Sequence, residues 1–330
     1  MKNLIKSTFY ISILLFFIAL FLLSSCGNKK ETKSPALTIG ESHLEVPGGN
    51  IWYKVTGAGK GLPVVLLHGG PGGSSYYLKP FEDLGNDRQV VRYDQLGGGK
   101  SDVIADTTMF TIDHFVKELD LLRAHLGLDK WHVFGHSWGT VVALEYYRAY
   151  PDRVSSLTFG SLCFDVPAWE QSTKQLLASF PDSLQEAVLN AESTGNYDDP
   201  LYEEAMNQFY AKYVWGTNPV QADFDSLMAT FNADIYGYMW GPSEFTVTGT
   251  LKDYNATSFL PMIKVPTLFT VGEFDEIKPD IVKEIAGKVI DSRFAVFAGS
   301  SHMTPWDARD ENVRVVREFL SSVDSLNNNK

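Results

Sequence analysis

The amino-acid sequence predicts an α/β fold in which a mostly parallel central sheet is flanked by helices. Three observations predict it. From about Leu37 onward, short apolar runs alternate with stretches of helical periodicity, which is typical of parallel strands joined by helices. Several of these runs are continuously apolar, as expected for strands that are buried on both faces. A segment from about residue 165 to residue 260 breaks the alternation and is rich in helix formers and aromatic residues, so it predicts a helical insertion between two strands.

The elements follow in chain order. The run Pro63–His68 (PVVLLH) is predicted as the first buried strand. Further runs of the same kind predict strands, and two stretches of helical periodicity predict helices, the second of which ends at Pro151. The strands are expected at 89–93, 131–134, 154–159, 265–271 and 294–297, and the helices at 112–126 and 141–150. The predicted domains are a core of residues 37–163 and 262–330 and a helical cap of residues 164–261.

Composition narrows the classes of function. Hydrophobic residues make up 44% of the 330 residues and charged residues 21%, which is typical of a globular protein. Two cysteines cannot form a disulfide framework, and no Cys/His cluster has zinc-ligand spacing. The net charge of −12 argues against a nucleic-acid partner, which would need a basic surface.

The N-terminus has the pattern of an export signal. Lys2 and Lys6 precede an apolar run, 9–23, that is too short to span a membrane, and small residues lead to Cys26. The sequence LSSC at 23–26 resembles the lipobox of bacterial lipoproteins. We therefore expect a signal peptide at 1–25, lipidation of Cys26 and a polar tether at 26–36, which would anchor the protein to a membrane of the bacterial cell envelope, facing the periplasm. An uncleaved signal anchor is the alternative. The other cysteine, Cys163, is expected to be a core residue.

The strongest chemical signal is Gly135-His136-Ser137-Trp138-Gly139, which lies directly after a predicted strand and before a predicted helix. A serine on such a sharp turn exposes its hydroxyl oxygen, and the flanking glycines avoid side-chain clashes. The pattern predicts Ser137 as a nucleophile.

A serine nucleophile needs a histidine base and an acid that orients it. In this architecture the chain order is serine, acid, histidine, with the last two in loops after later strands. Asp275 follows the strand that ends at Val271, and His302 follows the strand that ends near Phe297. The six other histidines precede Ser137 in the chain. The order therefore selects Ser137, Asp275 and His302.

A glycine-rich loop, His68-Gly69-Gly70-Pro71-Gly72-Gly73, follows the first buried strand. Such a loop can point a backbone N–H at a developing oxyanion, and we assign this role to Gly70 and to Trp138, the residue after the nucleophile. The loop lacks the lysine of a phosphate-binding loop, and Pro71 has no N–H to donate. The expected mechanism needs no metal and no organic cofactor.

These residues resemble the α/β-hydrolase fold and, more narrowly, the proline iminopeptidases (prolyl aminopeptidases), which include the tricorn-interacting aminopeptidase. The resemblance covers nearly all of the chain from about residue 40. It rests on the motifs HGGPGG (68–73), YDQLGGGKSD (93–102), GHSWGT (135–140), GPSEFTVTGTLKDY (241–254), PTLFTVGEFDE (266–276) and SHMTPWD (301–307).

The resemblance implies a serine aminopeptidase that releases an N-terminal residue, preferably proline, from short peptides with a free N-terminus. It also implies that Glu244 and Glu276 bind the free amino group, and carboxylates are the groups that favour a bound cation. Without such a role, Glu244 would be a surface charge of the cap and Glu276 an acid at a helix N-terminus. Asp94 and Gln95 match the family pattern too, but an Asp followed by glycines at a strand end indicates a turn.

Two other functions stay open at this point. The same triad could serve an esterase or an amino-acid amidase, whereas a dehalogenase would carry aspartate at the nucleophile position. A non-catalytic peptide-binding lipoprotein is the alternative from another class. The sequence leaves the oligomeric state undetermined.

Overall fold

A computed structural model of the protein describes residues 37–216 and 219–328. The predicted signal peptide (1–25), the predicted lipidation site Cys26 and the predicted tether (26–36) lie outside these residues. Within the part that is described, no helix is both long enough and apolar enough to cross a membrane.

The central element is a mostly parallel sheet, which confirms the predicted fold class. Its strand order is β1-β2-β4-β3-β5-β6-β7-β8. The pairs β1–β2 and β2–β4 are antiparallel, and every pairing from β4 through β8 is parallel. The strands are β1 (Gly40–Val46), β2 (Gly49–Thr56), β3 (Gly61–Leu67), β4 (Arg88–Tyr93), β5 (Trp131–His136), β6 (Val154–Gly160), β7 (Thr267–Gly272) and β8 (Ser292–Phe297).

The interior strands are buried on both faces as predicted, and the two edges of the sheet differ from the prediction. All residues of β4, β5, β6 and β7 are buried. The prediction that 294–297 is equally buried is wrong, because β8 is an edge strand and Val296 is exposed. The sequence analysis missed the hairpin of β1 and β2. Its outer strand has mostly exposed residues (GESHLEV) and therefore lacks a continuous apolar run.

Helices cover both faces of the sheet. The predicted helix at 112–126 is observed, and the helix predicted at 141–150 begins three residues earlier because the turn after β5 leads directly into it. The helices of the core are α1 (Ile112–His125), α2 (Trp138–Ala149), α8 (Pro279–Ala286), α9 (Thr304–Asp307) and α10 (Arg309–Asn328).

Between β6 and β7 the described residues form five α-helices, in the segment where the sequence predicts an insertion. They are α3 (Val166–Leu177), α4 (Asp182–Thr194), α5 (Pro200–Phe209), α6 (Gln221–Ala229) and α7 (Ala233–Met239). A single π-helical turn, Tyr210–Val214, continues from α5. The inserted helices have an apolar cluster of their own, which includes Phe180, Phe209 and Phe245. The inserted segment therefore has a hydrophobic core that stabilises its helices against one another.

Candidate active site

Ser137 lies on a sharp turn between β5 and α2. Its backbone has φ 53° and ψ −129°, a region that non-glycine residues rarely adopt. A Cβ on Gly135 would lie 2.3 Å from the carbonyl oxygen of Gly139, and a Cβ on Gly139 would lie 2.2 Å from that of Leu67. The two glycines of the motif are therefore required for the turn. Strain of this kind, held by surrounding structure, is common at functional sites.

Asp275 and His302 are hydrogen-bonded to each other. His302 Nδ1 donates to Asp275 Oδ1 at 2.9 Å, and the same oxygen accepts from the N–H of Ile277 at 3.2 Å. Both side chains are buried. With its proton on Nδ1, a neutral His302 presents Nε2 as a base.

Ser137 and His302 line one cavity at the carboxyl ends of the strands, which is where open α/β sheets place their ligands. Among the described residues no hydrogen bond joins Ser137 Oγ to His302. Such bonds are often long in sites without substrate and tighten when the substrate binds. The structure thus brings the three predicted residues to one place.

A second histidine connects the serine turn to the glycine-rich loop. His136 Nε2 donates to the carbonyl oxygen of His302 at 3.0 Å, and this fixes its proton because a carbonyl can only accept. His136 Nδ1 therefore accepts from the Tyr77 hydroxyl at 3.1 Å, and that hydroxyl accepts from the N–H of Gly69 at 2.6 Å. Burial holds the pKa of His136 well below its ordinary value, and nearby His302 lowers it further. His136 is a neutral link between the two loops.

The glycine-rich loop approaches the serine closely. A Cβ on Gly69 would lie 2.9 Å from Ser137 Cβ, and Gly70, with φ 117°, lines the cavity beside Ser137. Trp138 is the first residue of α2, where backbone N–H groups have no acceptor within the helix. Gly70 and Trp138, the two predicted oxyanion donors, thus both lie beside Ser137.

Asp94 and Gln95 hold this region together. Asp94 Oδ1 accepts from the N–H of Ser75 at 2.7 Å, and Asp94 Oδ2 accepts from that of Lys100 at 2.9 Å. The Gln95 side chain donates to the carbonyl of His68 at 3.0 Å and accepts from the Trp138 indole at 2.8 Å. These contacts agree with the structural role that the sequence analysis gave to Asp94 and Gln95.

Of the two predicted amino-group ligands, one lines the cavity and the other is buried outside its lining. Glu244 lines the cavity together with Ser137 and His302. Glu276 is 0% exposed and lies behind the surface, with Oε1 3.4 Å from His302 Nδ1. Neither of its carboxylate oxygens has a hydrogen-bond partner among the residues described. Because Glu276 is fully buried, its position does not fit the alternative interpretation of an exposed acid at a helix N-terminus.

Burial shifts both acids toward their neutral forms. It raises the pKa of Glu244, an effect opposed by His302 and the Tyr236 hydroxyl and reinforced by Asp275. Burial also raises the pKa of Glu276 well above its ordinary value, and the charges of Glu244 and Asp275 raise it further. A positive charge bound nearby would reverse these shifts, because it favours the carboxylate form.

The inserted helices supply contacts that the sequence analysis did not find. The N–H groups of His302 and Met303 donate to the carbonyls of Tyr213 and Val214 in the π-helical turn, at 2.9 and 3.1 Å. The Trp169 indole donates to the carbonyl of Glu244 at 2.9 Å, and its ring centroid lies 5.5 Å from that of His302. The sequence of this segment is rich in aromatic residues, but that richness does not indicate which residues they contact.

The cavity has a volume of about 430 Å³. Its walls are mostly apolar and include side chains of the inserted helices. Such a pocket, with a few polar groups converging on one point, is typical of a small-molecule or peptide site.

Residues 63–308 match the protein family described as alpha/beta hydrolase fold. A match over most of the chain, together with the sheet order and the serine turn, makes the protein an α/β hydrolase.

Comparison with individual proteins identifies a narrower family within the α/β hydrolases. The chain is 40% identical to the proline iminopeptidase of Heyndrickxia coagulans over 285 residues, covering 86% of this chain and 99% of that protein. It is 37% identical to that of Saccharolobus solfataricus over 304 residues, covering 89% and 96%. The crystal structure of the proline iminopeptidase of Mycobacterium smegmatis superposes with a TM-score of 0.78 at 30% identity, covering 87% of this chain and 99% of that one. The chain belongs to the proline iminopeptidase family.

Proposed function

We propose that this protein is a serine aminopeptidase that releases an N-terminal residue, preferably proline, from short peptides. The observation that carries the proposal is the presence of Glu244 in the same cavity as Ser137 and His302, with the buried Glu276 next to it. A hydrolase for neutral esters has no need for two desolvated carboxylates beside its nucleophile. The relatives named above support the same activity.

The proposed reaction has two steps. His302 Nε2 takes the proton of Ser137 as its oxygen attacks the carbonyl carbon of the first residue, and Asp275 stabilises the imidazolium that forms. The N–H groups of Gly70 and Trp138 stabilise the oxyanion. His302 then protonates the leaving amine. Water, deprotonated by the same histidine, hydrolyses the acyl-enzyme and frees the first residue.

Amino-group recognition follows from charge. A protonated imino or amino group that enters the cavity meets Glu244 directly and lies in the field of Glu276. It allows both acids to ionise, so that charge-assisted hydrogen bonds replace two poorly solvated neutral acids. A blocked N-terminus offers no such charge.

The test compares p-nitroanilides of proline, alanine and N-acetylproline, with Ser137→Ala as the control for site-specific turnover. We expect the free prolyl substrate to be hydrolysed fastest and the acetylated one at least about tenfold more slowly, since a buried carboxylate left unpaired costs more than 1.4 kcal/mol. Equal turnover of free and acetylated substrates would instead indicate an amidase or esterase.

We also propose that the enzyme is anchored to a membrane of the cell envelope through a lipid on Cys26. The support is the sequence alone: a basic start, a short apolar run and small residues before the cysteine. Several acyl chains would hold the protein firmly at the membrane surface.

A further inference from the structure

The cavity beside Ser137 has more room than one imino-acid ring needs. Its volume of about 430 Å³ falls within the range of roughly 300–1,000 Å³ for pockets that enclose drug-sized ligands. Glu244, Tyr210 and Tyr236 form one part of its lining, and the Tyr210 hydroxyl accepts from the N–H of Glu244 at 3.1 Å. The proposed function assigns this part to the amino end of the substrate. The remaining space is available to the portion beyond the cleaved bond.

A neighbouring part of the lining is apolar and begins at Trp215, whose ring centroid lies 5.9 Å from that of Tyr210. Trp215 packs against the core cluster that contains Leu227 and Met303, and all three residues line the cavity. Met228, the neighbour of Leu227 on α6, also lines the cavity and is 47% exposed, so it lies where the cavity meets solvent. We call these four residues the apolar wall.

The described lining of the cavity contains neither lysine nor arginine to pair with a carboxylate, whereas Glu244 contributes a carboxylate of its own. Lys79, which reaches α6 from outside the lining, is held in an ion pair with Asp223. A carboxylate entering this space would lose hydration without gaining a lysine or arginine partner. When the substrate amino group is bound and Glu244 is ionised, the carboxylate would also share the cavity with a charge of its own sign.

We propose that the apolar wall selects substrates whose second residue is apolar and whose C-terminal carboxylate stays outside the cavity. This proposal rests on the proposed function, since it concerns the group that leaves when Ser137 is acylated. Peptides of three or more residues and amidated dipeptides are then better substrates than free dipeptides with the same side chains. An acidic second residue is disfavoured for the same reason.

The test measures proline release by the full chain from Pro-Leu, amidated Pro-Leu and amidated Pro-Asp. We expect kcat/KM for amidated Pro-Leu to exceed the values for the other two by at least tenfold. Equal values for amidated and free Pro-Leu would overturn the inference and leave the proposed function intact. No proline release from any of the three would overturn the proposed function itself.

A charge placed in the apolar wall gives a sharper test. Met228→Lys puts an ammonium at the opening of the cavity and is expected to lower the ratio of kcat/KM for amidated over free Pro-Leu at least threefold. Repulsion of the substrate amino group affects both substrates and cancels in this ratio. Met228→Gln, similar in length but uncharged, is the matched variant and should keep the ratio. A ratio that lysine leaves unchanged, or that glutamine lowers equally, contradicts the proposal.

Discussion

Glu276 Oε1 lies 3.4 Å from His302 Nδ1, the nitrogen that also donates to Asp275. Neither carboxylate oxygen of Glu276 has a hydrogen-bond partner within the described residues, and its pKa is raised well above the ordinary value by burial and by neighbouring Glu244 and Asp275. The fold therefore maintains a costly group beside His302, the proposed base. Such groups are typical of functional sites rather than of packing.

Removing either acid should weaken substrates with a free amino group. Glu244→Gln and Glu276→Gln keep the side-chain shape and remove the negative charge. We expect kcat/KM for prolyl p-nitroanilide to fall about 30-fold or more, because breaking one partner of a buried charge pair costs about 2–5 kcal/mol. Hydrolysis of p-nitrophenyl butyrate, which lacks an amino group, should change less than about threefold. Steady-state kinetics on both substrates checks this.

The matched control is Glu203→Gln. Glu203 is an exposed acid on α5, outside the cavity lining, so its replacement changes the net charge equally. It should leave both substrates within about twofold of the unmodified enzyme, as is usual for surface substitutions. Equal losses on the amide and the ester in the Glu244 or Glu276 variants would contradict amino-group recognition.

Removal of the Tyr77 hydroxyl should lower kcat more than it changes KM. Tyr77→Phe leaves His136 Nδ1 without its donor and the N–H of Gly69 without its acceptor, next to the loop that carries Gly70. An unsatisfied buried polar group costs about 1–3 kcal/mol, so we expect kcat to fall roughly 5- to 150-fold while KM changes less than threefold. Tyr76→Phe, which lies in the same 3₁₀ helix (Ser75–Asn86) as Tyr77, is the control. A change in KM alone would contradict this role.

The positions of Ser137, Asp275 and His302 could be predicted from the sequence because they follow from simple constraints. Ser137 lies in a motif whose glycines are demanded by backbone clashes, and Asp275 and His302 follow strands whose apolar runs are visible in the sequence. Parallel strands bring their carboxyl ends to one edge of the sheet, so residues far apart in the chain meet there.

The contacts from the inserted helices could not be predicted in the same way. The bonds from the His302 loop to Tyr213 and Val214 use backbone carbonyls, which every residue has, and a π-helical turn leaves no mark in helical periodicity. The burial of Glu276 could not be predicted from the sequence either. It depends on α3, where Ser172 Oγ donates to the Glu276 carbonyl at 2.6 Å, and this packing is not encoded in local sequence pattern.

Lipid anchoring can be tested by one substitution. Cys26→Ser removes the only sulfur to which a lipid could be attached at the predicted cleavage site. We expect the variant to leave the membrane fraction and to lose incorporation of a labelled fatty acid, because a lone apolar segment of this length does not span a bilayer. Cys163→Ser is the control, since Cys163 is buried in the core. Unchanged membrane partitioning of Cys26→Ser would favour an uncleaved signal anchor.

The buried acid Glu118 should make the protein less stable as the pH rises. It lies on α1 with Oε2 accepting from the N–H of Leu96 at 3.1 Å, and burial raises its pKa to about 8. Since the folded-state pKa is above the unfolded one, the stabilisation is complete below about pH 4.5 and is lost progressively as the pH rises to about 8. Glu118→Gln removes this titration, so the difference in stability between the two proteins should shift in favour of the variant by up to about 4–5 kcal/mol between pH 4.5 and pH 8. Glu45→Gln, at an exposed position on β1, should show no divergence. Parallel melting curves for Glu118→Gln and the unmodified protein from pH 5 to pH 9 would show that Glu118 does not hold its proton in the folded state.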